Sequence, residues 1–353
     1  MTVTREAVVA ALKTVTNPVT GTDLIASDVV RALSVADGKV RFILEVDGAD
    51  AAAMAPVRDA AVAAVEALTG PGKVNAMVTA QSAAPAPPVL KAQAAPKGPQ
   101  KVPGVERIIA VASGKGGVGK STVSANLAVA LAAEGKRVGM LDADVYGPSQ
   151  PRMLGISGRP ASPDGKIILP LRNHGVTLMS IGLLTQEDEA VIWRGPMLMG
   201  ALQQMLGQVQ WGKLDVLIVD LPPGTGDVQM TLAQKAEVTG AIVVSTPQDI
   251  ALLDARKAID MFGKMNTKIL GMIENMSTFC CPACGHETHI FGHGGARADA
   301  ERLGIPFLGE IPLNIDIRLA GDGGAPIVAA QPDSPQAMAF RRIARDLIAA
   351  GTV

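Results

Sequence analysis

Two groups of residues in this chain have the types and spacing to do chemistry. The first is Gly114-Lys115-Gly116-Gly117-Val118-Gly119-Lys120-Ser121, set between the apolar run Ile108-Ile109-Ala110-Val111-Ala112 and the small-residue run from Thr122 to Ala133. Strand, tight loop and helix in that order make a phosphate-binding context, and the loop fits G-x-x-x-x-G-K-[ST]. Glycines let backbone N–H groups curl around phosphate oxygens, Lys120 neutralises their charge, and the Ser121 hydroxyl ligates Mg²⁺. The second group is Cys280, Cys281 and Cys284, all the cysteines of the chain. Cys281-x-x-Cys284 puts two thiolates on one tight turn, a spacing that serves iron–sulfur clusters, zinc and dithiol redox chemistry alike.

The same loop also satisfies G-x-G-x-x-G through Gly114, Gly116 and Gly119, with Asp142 ending the next apolar run, as a dinucleotide-binding fold would have it. Lys120-Ser121 argues for a triphosphate, because a dinucleotide fold has no use for an ammonium and a metal-binding hydroxyl at the start of its helix. Leu214-Asp215-Val216-Leu217-Ile218-Val219-Asp220 argues the same way, an apolar strand ending in a carboxylate that holds Mg²⁺ through water. Asp142 and Asp144 follow the second strand of this region, where a carboxylate reaches the γ-phosphate side and orients a water. One of them could instead cap a turn at Gly147-Pro148. Pro222 to Asp227 is a turn-rich loop suited to sensing the γ-phosphate. Lys115 is unusual, since one lysine suffices for such a loop.

These residues need rigid elements to hold them. Strands expected near 107–112, 137–142, 176–182, 215–220, 240–245 and 268–273 alternate with helical segments, which predicts a mostly parallel sheet with helices on both faces. Before it, the periodicity predicts a small α+β domain over 1–80, with helices at 5–15 and 51–68 and strands at 28–35, 39–46 and 73–78. Between them, 81–104 carries six prolines among alanines and no acid, and reads as a linker. The domain over 105–353 then carries both chemical groups.

Composition narrows the class. Of 353 residues, 48 % are hydrophobic but only 3 % aromatic, so aliphatic side chains and methionine must fill the core. A net charge of -1 gives no electrostatic case for nucleic acid or an anionic membrane as partner. No apolar run approaches the ~20 residues of a spanning helix, and the first residues lack the apolar core of an export signal. With the cysteines gathered in one window rather than scattered as in a disulfide scaffold, the expected compartment is the cytoplasm.

The glycine loop, with its second lysine, resembles the deviant Walker A element of the ATPases that include MinD, ParA and the nitrogenase iron protein. More narrowly, Asp142 to Ser149, Trp193-Arg194-Gly195-Pro196, Asp220 to Asp227, Ser245-Thr246-Pro247-Gln248-Asp249, Glu274-Asn275-Met276-Ser277 and Cys281-Pro282-Ala283-Cys284-Gly285 together resemble the Mrp (ApbC) iron–sulfur carrier ATPases. The similarity covers about 105–330. It implies a P-loop ATPase fold, ATP with Mg²⁺, slow hydrolysis, and a homodimer in which Lys115 reaches the partner's phosphates. It also implies that Asn275 lies near the adenine and that iron–sulfur clusters pass to apoproteins from an assembly machinery. Two thiolates cannot complete a four-iron cluster, but a symmetric dimer supplies two from each chain, giving a bridging [4Fe-4S] cluster on Cys281 and Cys284. The amino-terminal segment resembles the small iron–sulfur assembly domain that precedes such ATPases, although it lacks a cysteine after Val46.

Other readings remain at this stage. Zinc could be held by Cys281, Cys284, His286 and His289, although His286 follows Cys284 too closely for the usual separation of ligand pairs. A MinD- or ParA-like spatial switch would bind membrane or DNA, and the terminal pattern Phe340, Ile343, Ala344, Leu347, Ile348 offers it an amphipathic helix. The alternative for that helix is docking on the protein's own sheet. A nicotinamide redox enzyme is the third reading.

Overall fold

The computed structural model describes residues 4–36, 39–47, 51–81, 98–163, 165–184 and 195–353. Most of the proline-rich stretch (82–97), residues 37–38 and 48–50, and Trp193-Arg194 lie outside them. The chain forms two compact units, Met1–Ala95 and Pro96–Val353.

In the first unit, helix α1 (Arg5–Leu12) and strands β1 (Val30–Ala36) and β2 (Lys39–Asp47) precede helix α2 (Ala51–Thr69) and strand β3 (Val74–Gln81). β1 and β2 pair antiparallel, whereas β2 and β3 pair parallel, so α2 is the crossover that a parallel pair requires. Leu12, Phe42, Leu44, Met54 and Val65 are buried together between helices and sheet.

The second unit runs β4 (Ile108–Ala112), α3 (Lys120–Ala133), β5 (Val138–Asp142), α4 (Gln150–Met153), β6 (Leu171–Asn173), β7 (Val176–Ser180), α5 (Gly195–Gln208), β8 (Val216–Asp220), α6 (Asp227–Lys235) and β9 (Gly240–Ser245). It continues through α7 (Asp249–Lys264), β10 (Ile269–Cys280), β11 (Glu287–Thr288), α8 (Gly295–Leu303), β12 (Phe307–Leu313), α9 (Ile315–Asp322), α10 (Ile327–Ala330) and α11 (Pro335–Ala349). The sheet order is β11-β10-β9-β4-β8-β5-β7-β6, with β12 on β10, and the pairings are parallel except at β11 and β6. Alternate residues of β4 explain its continuous apolar run: Ile109 and Val111 enter one core, while Ile108, Ala110 and Ala112 enter the other. Both faces are covered, so no strand of the centre has a polar side.

Three local outcomes differ from the periodicity. β6, β11 and β12 are short or irregularly registered and lack a clean apolar alternation, and β10 runs on to Cys280 instead of stopping near residue 273. Its extension is held at the edge by β12 and β11 rather than by core burial. The end of the proline-rich stretch belongs to the second unit, where Gln100 bridges to Ala236 and Val102 is buried. The terminal helix α11 buries Phe340, Ile343, Ala344 and Leu347 in the same core as α3. Exposing a large apolar side chain costs roughly 1.5–3 kcal/mol, so that face is committed to the protein's own interior. Arg341 and Arg345 add ion pairs to Glu134 at 2.9 and 3.0 Å. Among the described residues no helix is long and apolar enough to cross a membrane.

Candidate functional site

The phosphate loop leaves the carboxyl end of β4 and enters α3 at Lys120. Gly117 and Gly119 have φ of 82° and 80°, and Val118 between them is buried as the loop's anchor. Gly114 has a separate reason to lack a side chain: a Cβ there would sit 2.0 Å from the backbone carbon of Asp254 in α7. Asn275 braces the loop from β10, donating Nδ2–H to the Val118 carbonyl at 2.8 Å. Close to it, a cavity of about 240 Å³ is lined by Gly119, Thr122, Asn275, Pro312 and Ile317 among others. Asn275 therefore lies where loop and cavity meet.

Lys120 is almost fully buried, and its Nζ donates to Asp220 Oδ1 at 2.6 Å and Ser121 Oγ at 3.2 Å. Asp220, at the end of β8, is completely buried and also accepts from Ser124 Oγ at 2.8 Å and Gln150 Nε2 at 2.8 Å. Lys120, the Ser121 hydroxyl and the strand-end carboxylate Asp220, about 100 residues further along the sequence, thus meet in one polar pocket. Lys115 is partly buried; Ser113 Oγ donates to its carbonyl at 2.9 Å, and its ammonium has no ion pair among the described residues.

Asp142 ends β5 beside Asp220, in register across the β5–β8 pair. Its carboxylate is fully buried and accepts from the backbone N–H of Asp144 (3.2 Å), Ser149 (3.1 Å) and Gln150 (3.1 Å) and from Ser180 Oγ (3.0 Å). Burial, followed by the nearby Asp220 charge, pushes its carboxyl up to about 7. Asp142 therefore organises the loop that follows it. Asp144 accepts from the Gly147 N–H at 3.2 Å, the turn-capping role, and burial pushes its carboxyl up too. Ser124, Gln150 and Ser180 were not legible as site residues. Ser124 is one helical turn beyond Lys120, and Gln150 is the residue immediately after the Asp142–Ser149 motif.

The cysteines lie at the far edge of the sheet, in the hairpin between β10 and β11. Cys280 pairs with Glu287 at its base, and the Cys281 N–H donates to the His286 carbonyl at 2.9 Å. Gly285, with φ of 70°, donates to the Cys281 carbonyl at 2.8 Å and closes the turn. Inside it, backbone N–H groups of Ala283 and Cys284, then the Cys284 thiol, point at Cys281 sulfur and lower its pKa below the ordinary thiol value. Cys281 and Cys284 thus share one turn, with backbone N–H groups aimed at the Cys281 sulfur. Cys280 is exposed and sends its S–H to the Gly285 carbonyl at 3.6 Å.

The histidines have other partners. His289 Nδ1 contacts the Ser277 carbonyl at 3.2 Å, and its ring lies 4.4 Å from that of His293. His293 Nε2 meets Glu310 at 3.2 Å, and with Glu274 these side chains lie within 4.8 Å of one another. Hydrogen bonds account for that group: Glu274 takes the N–H groups of Gly294 and Ala296 at the start of α8, and Arg297 pairs with Glu310.

Residues 104–348 match the family described as NUBPL iron-transfer P-loop NTPase, and residues 5–78 match the iron–sulfur cluster assembly protein family. An iron–sulfur cluster carrier protein from Synechocystis is 44% identical over 353 residues, covering 98% of this chain and 97% of its own. One from Escherichia coli is 54% identical over 248 residues, covering 70% and 67% respectively. Among solved structures, a nucleotide-binding protein from Archaeoglobus fulgidus in complex with ADP is 41% identical with a TM-score of 0.59, covering 68% of this chain and 93% of its own. The cell division ATPase MinD of Pyrococcus furiosus is 25% identical with a TM-score of 0.54, covering 69% and 99%. Sequence and fold agree, and the chain belongs to the iron-transfer P-loop NTPase family.

Proposed function

We propose that this chain, an iron–sulfur cluster carrier, works as an ATP-hydrolysing homodimer that holds a [4Fe-4S] cluster on Cys281 and Cys284 of both protomers and delivers it to apoproteins. The observation that carries this reading is the pairing of two accessible thiols on one turn with the buried Lys120–Asp220 contact behind a glycine loop in the same unit. Two thiols leave half the coordination of a four-iron cluster to be filled, and a second copy of the same hairpin fills it by symmetry. Lys115, whose ammonium has no ion pair among the described residues, is the residue proposed to reach the partner's phosphates.

The metal fit rests on the donor set. Ser121 Oγ and Asp220 are hard oxygen donors meeting in one buried pocket, as Mg²⁺ prefers. Ser121 would ligate the ion and Asp220 would hold its water, and bound Mg²⁺ would supply charge neutralisation between the phosphates. When phosphates enter the loop, the Lys120 ammonium exchanges Asp220 for their oxygens, and Asp220 becomes free to face the metal. Backbone N–H groups of Gly114, Gly116, Gly117, Val118 and Gly119 cradle the same oxygens. Asp142, once ionised, orients the attacking water through the loop it organises, and Asn275 sits against the base. Closure of two protomers around nucleotide would change how the two hairpins meet, and so how firmly four thiolates hold their cargo. The three free thiols suit a reducing, cytoplasmic compartment. The amino-terminal unit is proposed to meet the assembly machinery.

Transfer is the direct test. The reconstituted holoprotein is mixed with an apoprotein whose activity requires a four-iron cluster, in the presence of an iron chelator. Activation by the wild type and none by a Cys281→Ala, Cys284→Ala variant is expected; equal activation by both contradicts the reading.

A further inference from the structure

Gln150 links Asp220, Ser121 and Asp142. It opens α4 with a side chain that is fully buried. Its Nε2 donates to Asp220 Oδ2 at 2.8 Å and to the Ser121 carbonyl at 3.0 Å, and its backbone N–H donates to Asp142 Oδ2 at 3.1 Å. Both partners of Nε2 are obligate acceptors, a carboxylate and a carbonyl. Turning the amide round would set Oε1 against two oxygens, so chemistry fixes which end is which. With that orientation, Oε1 is buried and has no donor among the described residues.

A buried acceptor lacking a donor is unfavourable, and native proteins keep one where a ligand or bound water completes it. The neighbourhood says what kind of donor fits. The Ser121 carbonyl and Asp220 beside the amide are acceptors, Lys120 Nζ and Ser124 Oγ are spent on Asp220 Oδ1, and a phosphate has no proton to offer Oε1. Water polarised by a divalent cation does. We infer that Gln150 is a positioning residue for the metal: Oε1 accepts a hydrogen bond from a water on the Mg²⁺ that accompanies the nucleotide, while Nε2 keeps Asp220 aimed after Lys120 departs. Since the same residue begins α4 and ties it to Asp142, metal arrival is felt directly by that short helix. This inference rests on the reading of Ser121 and Asp220 as the metal-binding pair.

The readout is the magnesium gain, the ratio of ADP Kd without Mg²⁺ to that with Mg²⁺, measured by calorimetry on the full chain. Gln150→Leu is expected to lose about 10-fold or more of the magnesium gain, the range seen when partners of metal ligands are removed, over and above any change in ADP binding without Mg²⁺. A purely structural role would weaken both conditions alike, and that result overturns the proposal. Ser121→Ala separates the two layers. If it abolishes the gain while Gln150→Leu retains it, the role of Gln150 is wrong; if neither changes it, the metal-binding pair itself is wrong. Should Gln150→Leu fail to fold, wild-type protein still decides: Mn²⁺ with ADP should broaden the Gln150 side-chain amide signals in the NMR spectrum, and sharp signals refute the contact.

Discussion

Removing the ammonium of Lys120 should cost this protein stability even where no nucleotide is present. Its Nζ lies 2.6 Å from Asp220 Oδ1, with the two side chains 6% and 0% exposed. Such a pair is weak evidence of net stabilisation as a whole, because desolvation offsets attraction, but breaking it leaves one buried charge uncompensated, at about 3–5 kcal/mol. Ser124 and Gln150 would still donate to Asp220 in Lys120→Ala, so the lower end of that range is expected. For a domain of this size about 1 kcal/mol moves Tm by roughly 2–4 °C, which puts the expected fall near 6–12 °C. Both tryptophans, Trp193 and Trp211, belong to the second unit, so thermal melting followed by tryptophan fluorescence reports that unit alone. Asp220→Asn in the same chain removes the orphaned charge and should recover at least half of the loss. A Lys120→Ala protein that melts like wild type, or a double variant no better than the single, would refute the burial argument; loss of ATP binding is expected in both.

The remaining expectations concern the other groups of the site. Cys281→Ala should abolish cluster reconstitution, read as sulfide-to-metal charge-transfer absorbance, with ATP affinity unchanged, whereas Cys280→Ala should reconstitute normally because its thiol hangs on the Gly285 carbonyl outside the turn. For ATP hydrolysis, kcat/KM should rise with pH through about 7 as Asp142 ionises, and Asp142→Asn should give a low, flat profile. The same raised value means folding favours the protonated acid, so its contribution to stability is full below 3.8 and lost as pH rises through about 7; a melt over that window in wild type and Asp142→Asn checks the sign. Gly119→Ala should lose nucleotide binding, since φ is 80° and a Cβ would lie 2.2 Å from Asn275 Nδ2, displacing the brace on Val118.

The parts of this molecule that are legible in its sequence are those with a local cause. Ile108 to Ala112 and Val216 to Asp220 are apolar throughout because both faces of the sheet are covered, and the loop between β4 and α3 is spelled in glycines because backbone must approach phosphate. Fold class follows from such stretches, while family and carrier role follow from the resemblance carried by the whole series of motifs, Cys281-x-x-Cys284 among them. What was not legible depends on distant partners. Ser124, Gln150 and Ser180 are ordinary polar residues until the fold sets them against Asp220 and Asp142, 96, 70 and 38 positions away. The extension of β10 to Cys280 is likewise invisible to periodicity, because edge strands β11 and β12 hold it and no core side chain marks it. Asp142 illustrates the same limit: its place at a strand end is local information, but three of its four donors come from the chain folding back on it and the fourth, Ser180, from the end of β7.

The central claim is that two chains complete one cluster, and native mass spectrometry of the anaerobically purified holoprotein tests it most directly. The expected species is a dimer of the 353-residue chain carrying four iron and four sulfide ions in total, absent in Cys284→Ala. A monomer with its full metal content, or a stoichiometric zinc ion per chain, contradicts it.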